Sequence, residues 1–115
     1  MLDKILQEIK EERARQNEKW GEQNHTDSPM ESVFMDIVDL SEDEYIPAVD
    51  ASRRVCEEAA GSGNCTWSHI FLEEVLEVED AARQGDVDEL EEELIQVAAV
   101  AVQWVEAIRR RRRKE

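Results

Sequence analysis

Apolar residues recur along much of this chain at intervals of three and four. Leu2, Ile5, Leu6 and Ile9, with charged side chains between them, predict an amphipathic helix over residues 2–20. Gly21 closes it, and Asn24, Asp27, Ser28 and Pro29 mark residues 22–29 as a loop. In the segment 30–47, "MESVFMDIVDL" predicts a short helix, an acidic break follows at Ser41 to Glu44, and Pro47 restarts the chain. "AVDASRRVCEEAA" predicts a helix over 48–60, and "GSGN" (61–64) a flexible connection. Thr66 is placed to cap a helix from Trp67 to Gln84, which Gly85 ends. Asp86, with Glu89 three residues on, has the form of a capping box for a last helix from Val87 to Ile108. Within it, "LIQVAAVAV" (94–102) is apolar on all sides apart from Gln96. A helix of that kind is wrapped by neighbours on every face. The pattern predicts an all-α protein: an antiparallel helical bundle whose core is completed by dimerisation, with one domain over 1–108 and a basic C-terminal tail over 109–115.

Composition narrows the class. With 115 residues, 41% of them apolar, the chain has room for one small core. Two prolines and four glycines leave few breaks, in keeping with helices. The formal net charge of −15, from 29 acids against 14 bases, opposes binding to nucleic acid and to anionic membranes and suits the gathering of divalent cations. No run reaches the roughly 18–20 apolar residues of a membrane span, and the charged N-terminus is unlike a signal peptide. The expected location is the cytoplasm, with no membrane or nucleic-acid partner. Cys56 and Cys65, nine apart with no CxxC, are expected as free thiols; a zinc site from them and His69 lacks a fourth ligand. The run Arg109 to Lys114 is expected as a solvated helix end complementing the helix dipole.

Chemistry enters at "FLEEVLEVED" (71–80). As a helix this stretch continues an apolar stripe from Trp67 through Ile70, Phe71, Val75 and Val78 to Ala82, with Glu74 inside the stripe and Glu77 on its edge. The tight turn at Gly85 makes the helices before and after it neighbours. Glu77 lies eight residues before Gly85 and Glu93 eight after; Glu74 lies eleven before and Gln96 eleven after. Equal spacing from the turn predicts that Glu77 faces Glu93 and Glu74 faces Gln96. No lysine or arginine occurs between Phe71 and Ala82 or between Asp86 and Ile108, so the two helices bring no counter-charge to these acids. Buried charge needs a partner, and oxygen-only donors point to magnesium or manganese. Magnesium in turn points to a phosphate ester or anhydride as substrate. Glu79, Asp88, Glu91 and Glu92 are explained by an ordinary solvated face; Glu74 and Glu93 are not.

"EEVLE" (73–77) followed by "ELIQVAAVAVQWVE" (93–106), with "ERARQNEKWGEQNH" (12–25) upstream, resembles the MazG-like branch of the all-α nucleoside triphosphate pyrophosphohydrolases. That superfamily carries EExxE on one helix and ExxD on the next, and hydrolyses nucleoside triphosphates to monophosphate and pyrophosphate with magnesium, as dimers or tetramers. The resemblance implies Glu74, Glu77 and Glu93 as metal ligands. Gln96 stands at the fourth position, where the family has aspartate; its amide offers a carbonyl oxygen without charge. Glu73 or Asp80 would orient or deprotonate the attacking water. Lys19, Trp20 and His25, where the first helix ends, would face the substrate, an aromatic and an imidazole being suited to a nucleobase. Trp67 and Trp104 are expected as core anchors. The alternative is a non-catalytic helical module that binds nucleotide or metal without turnover.

Overall fold

Capping chemistry sets several helix ends in the computed structural model, which describes residues 1–114. Five helices follow one another: α1 (Leu2–Trp20), α2 (Met30–Glu44), α3 (Ala48–Gly61), α4 (Trp67–Gln84) and α5 (Val87–Lys114). Gly21, at φ 70°, stops α1, and Gly85, at φ 73°, stops α4; both sit in the left-handed region that glycine tolerates best. At the start of α4 the Thr66 N–H donates to His69 Nδ1 at 3.1 Å, which places the imidazole in the helix cap. Asp86 Oδ1 accepts from the Glu89 N–H at 3.1 Å and caps α5.

Two boundaries differ from the sequence expectation. Ser41 to Glu44 do not break the chain; they form the last turn of α2, which ends at Tyr45 with φ 54°. Exposed acids on the outside of a helix carry no penalty large enough to end it, whereas the proline at 47 disfavours helical backbone at the residue before it. The final helix passes Ile108 and runs through the basic residues to Lys114. No breaker intervenes, and cations at a helix C-terminus are favourable.

Val33 and Ile37 of α2 and Ala51 of α3 form a buried cluster against which Leu72 and Leu76 of α4 pack. Trp67, fully buried, stacks on Trp104 of α5 at 6.2 Å between ring centroids, and Phe71 meets the same ring edge-on at 6.1 Å. Trp67 is thus a core anchor, while Trp104 is half-buried and packs on it from the rim of the core. Helix α4 packs against α2, α3 and α5, while α1 lies on α5, tied there by the Arg13–Glu106 ion pair. The most surrounded element is therefore α4. Helix α5 is not wrapped on every face: Ala99 and Val100 are buried, but Leu94, Val102 and Val105 are 42–50% exposed. Leu2 and Leu6 of α1 are also open. Among the described residues no helix is long and apolar enough to cross a membrane.

Candidate functional site

The loop 21–29 forms one wall of the site, and it is laced at both sides. Toward α4, the Trp67 N–H donates to the Thr26 carbonyl at 3.1 Å, Ser68 Oγ donates to the Ser28 carbonyl at 2.6 Å, and Ser28 Oγ donates to Thr66 Oγ1 at 2.9 Å. Toward α5, Asp27 accepts from Trp104 Nε1 and from Arg111, each at 2.7 Å, while Arg110 donates to the Gln23 carbonyl at 3.0 Å and to Asn24. The basic residues 110 and 111 are therefore structural clamps. A surface cavity of about 600 Å³ lies between them and the loop, but these arginines already face Asp27, Asn24 and Glu22. So anchored, the loop sets His25 edge-on to Trp67, with ring centroids 4.9 Å apart. His25 Nε2 lies 2.7 Å from Gln23 Oε1, and burial holds the imidazole pKa below its usual value.

Of the two-helix pattern, the three glutamates lie within electrostatic reach of one another, with Glu73 beside them, while Gln96 lines a groove with α1. Glu93 of α5 raises the pKa of Glu74 by charge repulsion and is itself raised by Glu77, so it sits within electrostatic reach of both. Glu74 is pushed up from 4.5 to about 7, first by burial and then by Glu93, Glu73, Glu77 and Glu12. Burial likewise raises Glu93 and Glu73, although a hydrogen bond with Cys56 and the charge of Arg53 pull Glu73 back. Glu74 Oε2 and Glu93 Oε2 are both shut off from solvent with no hydrogen-bond partner. Orphaned carboxylate oxygens in one cluster are costly.

Glu77 is satisfied differently. Arg53 reaches across from α3 and donates to both of its oxygens, Nε and Nη2 to Oε1 at 2.9 and 2.8 Å and Nη2 to Oε2 at 2.9 Å. This corrects the sequence argument that the acids lack a protein counter-charge: the two helices supply none, but a third does. Glu74 and Glu93 have no such partner. Among the described residues no three histidine, cysteine, aspartate or glutamate side chains form a ready-made metal cage. Magnesium, however, commonly keeps several waters and takes only one or two protein carboxylates. Two carboxylate oxygens without a protein partner are donors of the kind a hard cation takes, and Glu77 is held by Arg53.

A cavity of about 510 Å³ opens beside this cluster, lined by Glu73 and Glu74 of α4, Glu12 and Gln16 of α1, Trp20, Gln23 and His25, the thiols of Cys56 and Cys65, and Val100 and Gln103 of α5. The structure thus brings Trp20 and His25 to the same cavity as Glu73 and Glu74. Lys19 lies over the Trp20 ring at 4.6 Å from its centroid. Asp80 lines a separate groove with Val49 and Leu76 and accepts from Gln84 at 2.9 Å. Gln96 lines another, with Glu8, Glu12 and Arg15 of α1. Cys56 and Cys65 are free thiols, both with pKa raised, mainly by burial; His69 is committed to the α4 cap.

Sequence reasoning missed Glu12 and Gln103 as lining residues, and the pairing of Arg53 with Glu77. Nothing in the pattern marks Arg53, which must travel from another helix. Gln103 carried a usable signal, a polar residue in the otherwise apolar stretch "VAAVAVQWV". No family model matches the chain, and neither a curated protein nor a solved structure is found to resemble it.

Proposed function

We propose that this protein is a magnesium-dependent nucleoside triphosphate pyrophosphohydrolase, converting (d)NTP to (d)NMP and pyrophosphate. The observation that carries the reading is the pair of buried, unpartnered oxygens of Glu74 and Glu93, with Glu74 lining a cavity of nucleotide-compatible volume. The likeness of "EEVLE" and "ELIQVAAVAVQWVE" to the MazG-like family supports it. Glu74 and Glu93 would hold the metal, Glu77 would join them where Arg53 releases it, and Gln96 would contribute at most from its neighbouring groove. The metal, when bound, neutralises phosphate charge and lowers the barrier to attack on phosphorus. Glu73, rather than Asp80, is the further carboxylate that lines the cavity, and its raised pKa suits a group that orients water and accepts its proton. Trp20 and His25 frame the base, with Lys19 near the rim to meet phosphate. Helices α4 and α5 run antiparallel, and a second copy of the chain covers the apolar residues left open on α5 and α1. The protein acts in the cytoplasm, away from membrane and nucleic acid.

The test is pyrophosphate release from a panel of ribo- and deoxyribonucleoside triphosphates with magnesium, with Glu74→Gln and Glu93→Gln as controls. Release lost in both variants supports the proposal, and no release from any substrate at high protein concentration defeats it.

One feature favours a second reading, a module that binds nucleotide without turnover: Arg53 already occupies Glu77, and no aspartate stands at 96. Calorimetric nucleotide binding with no product formed distinguishes it.

A further inference from the structure

Two amides are buried in the cavity wall without partners. Gln16 of α1 is 5% exposed and Gln103 of α5 is 3% exposed. Gln16 Oε1 and Gln103 Nε2 touch neither solvent nor any hydrogen-bonding group, and both residues line the cavity that Glu73 and Glu74 share. Leaving a buried polar atom unmatched destabilises a fold, and a core position facing Val100 and Ile70 would accept an apolar side chain of the same size. These two sites hold glutamine, one with an idle acceptor and the other with an idle donor. A rotation of either amide exchanges its donor and acceptor, so the pair offers both orders to a ligand.

Glu73 and Glu74 come to this lining from α4 and Glu12 from α1, one turn before Gln16; carboxylates repel phosphate unless a cation intervenes. The amides are uncharged and sit among Trp20, His25, Ile70 and Val100, surroundings suited to a flat, uncharged heterocycle. We propose that Gln16 and Gln103 read the hydrogen-bonding edge of a nucleobase, the idle acceptor taking a ring or exocyclic N–H and the idle donor meeting an adjacent ring nitrogen or carbonyl. The class of ligand rests on the nucleotide reading above; the amide pair adds which atoms select the base. A site built to match a donor and an acceptor rejects analogues that lack them, because the buried groups then go unpaired.

The experiment compares wild type with Gln16→Met and Gln103→Met. Each is titrated calorimetrically with the four nucleoside monophosphates and with inorganic tripolyphosphate as the base-free probe. Pyrophosphate release from triphosphates is measured in parallel, and unfolding in denaturant without ligand. Methionine removes the idle polar atom at similar volume, so both variants fold with stability equal to or above wild type. The preferred monophosphate binds each variant about 10- to 100-fold more weakly, while tripolyphosphate binding stays unchanged. The inference is overturned if the variants bind every monophosphate as wild type does, or if tripolyphosphate binding falls in step. Should wild type release pyrophosphate while the variants keep its base preference, the hydrolase stands and the amide reading fails. Should the amides control monophosphate binding with no pyrophosphate released, the amide reading stands and the hydrolase fails.

Discussion

Replacing Glu74 by glutamine should stabilise the metal-free protein at high pH. The carboxyl is held at about 7 in the fold against 4.5 in its ordinary state. Between these values the folded protein binds more protons than the unfolded chain, so stability declines as pH rises. The penalty is absent below about pH 4.5 and complete above about pH 7. At 1.36 kcal/mol per pH unit, the interval corresponds to at most about 3 kcal/mol. Glu74 is only partly buried, and solvent screening reduces this to about 1–2 kcal/mol. Glutamine keeps the shape and removes the charge. In denaturant unfolding with chelator, Glu74→Gln therefore exceeds wild type by about 1–2 kcal/mol at pH 8 and matches it at pH 5. Magnesium should narrow or reverse the gap at pH 8, because only wild type gains from the cation. Equal stability of the two proteins at pH 8, or a variant weaker there without metal, would refute the picture of a strained, cation-seeking carboxylate.

Arg53→Met frees Glu77. It should cost about 1 kcal/mol or less of stability without metal and tighten magnesium binding severalfold, read by melting temperature against magnesium concentration; no gain in affinity removes Arg53 as a competitor. Trp67→Ala empties the stack on Trp104 and should cost about 3–5 kcal/mol, checked by chemical unfolding. Asp86→Ala removes the α5 cap and should cost about 1 kcal/mol, measured the same way, with hydrolysis per folded molecule unchanged. Asp27, whose pKa is lowered by its hydrogen bonds from Trp104 and Arg111, contributes stability above its unfolded value of 3.8 that fades as acid protonates it; Asp27→Asn should flatten that acid limb and raise exchange of the Thr26 and Trp67 amides.

The helices were legible because local rules govern them: three-and-four spacing, glycine after a last turn, a short polar residue before a first. The tight turn at Gly85 likewise made it legible that acids of α4 and α5 come within charge range of one another, as Glu77 and Glu93 do. Symmetry about Gly85 carried no information about which way a side chain leans, and Gln96 accordingly lines a groove with α1. Arg53 was hidden because its approach depends on how α3 lies on α4, which no local pattern encodes. The exposed valines of α5 show the same limit: an apolar run states that cover is needed and leaves its source open. The basic end was read as solvated, yet its arginines hold a loop more than 80 residues upstream.

That long-distance lacing divides the molecule into parts with different prerequisites. The acidic cluster needs α3, α4 and α5 as far as Glu93, a nearly continuous stretch of chain. The wall bearing His25 needs Arg110 and Arg111, contacts that close a loop over most of the polypeptide. A stop after Ile108 should therefore yield a protein that still answers to magnesium but has lost its grip on the organic half of its ligand.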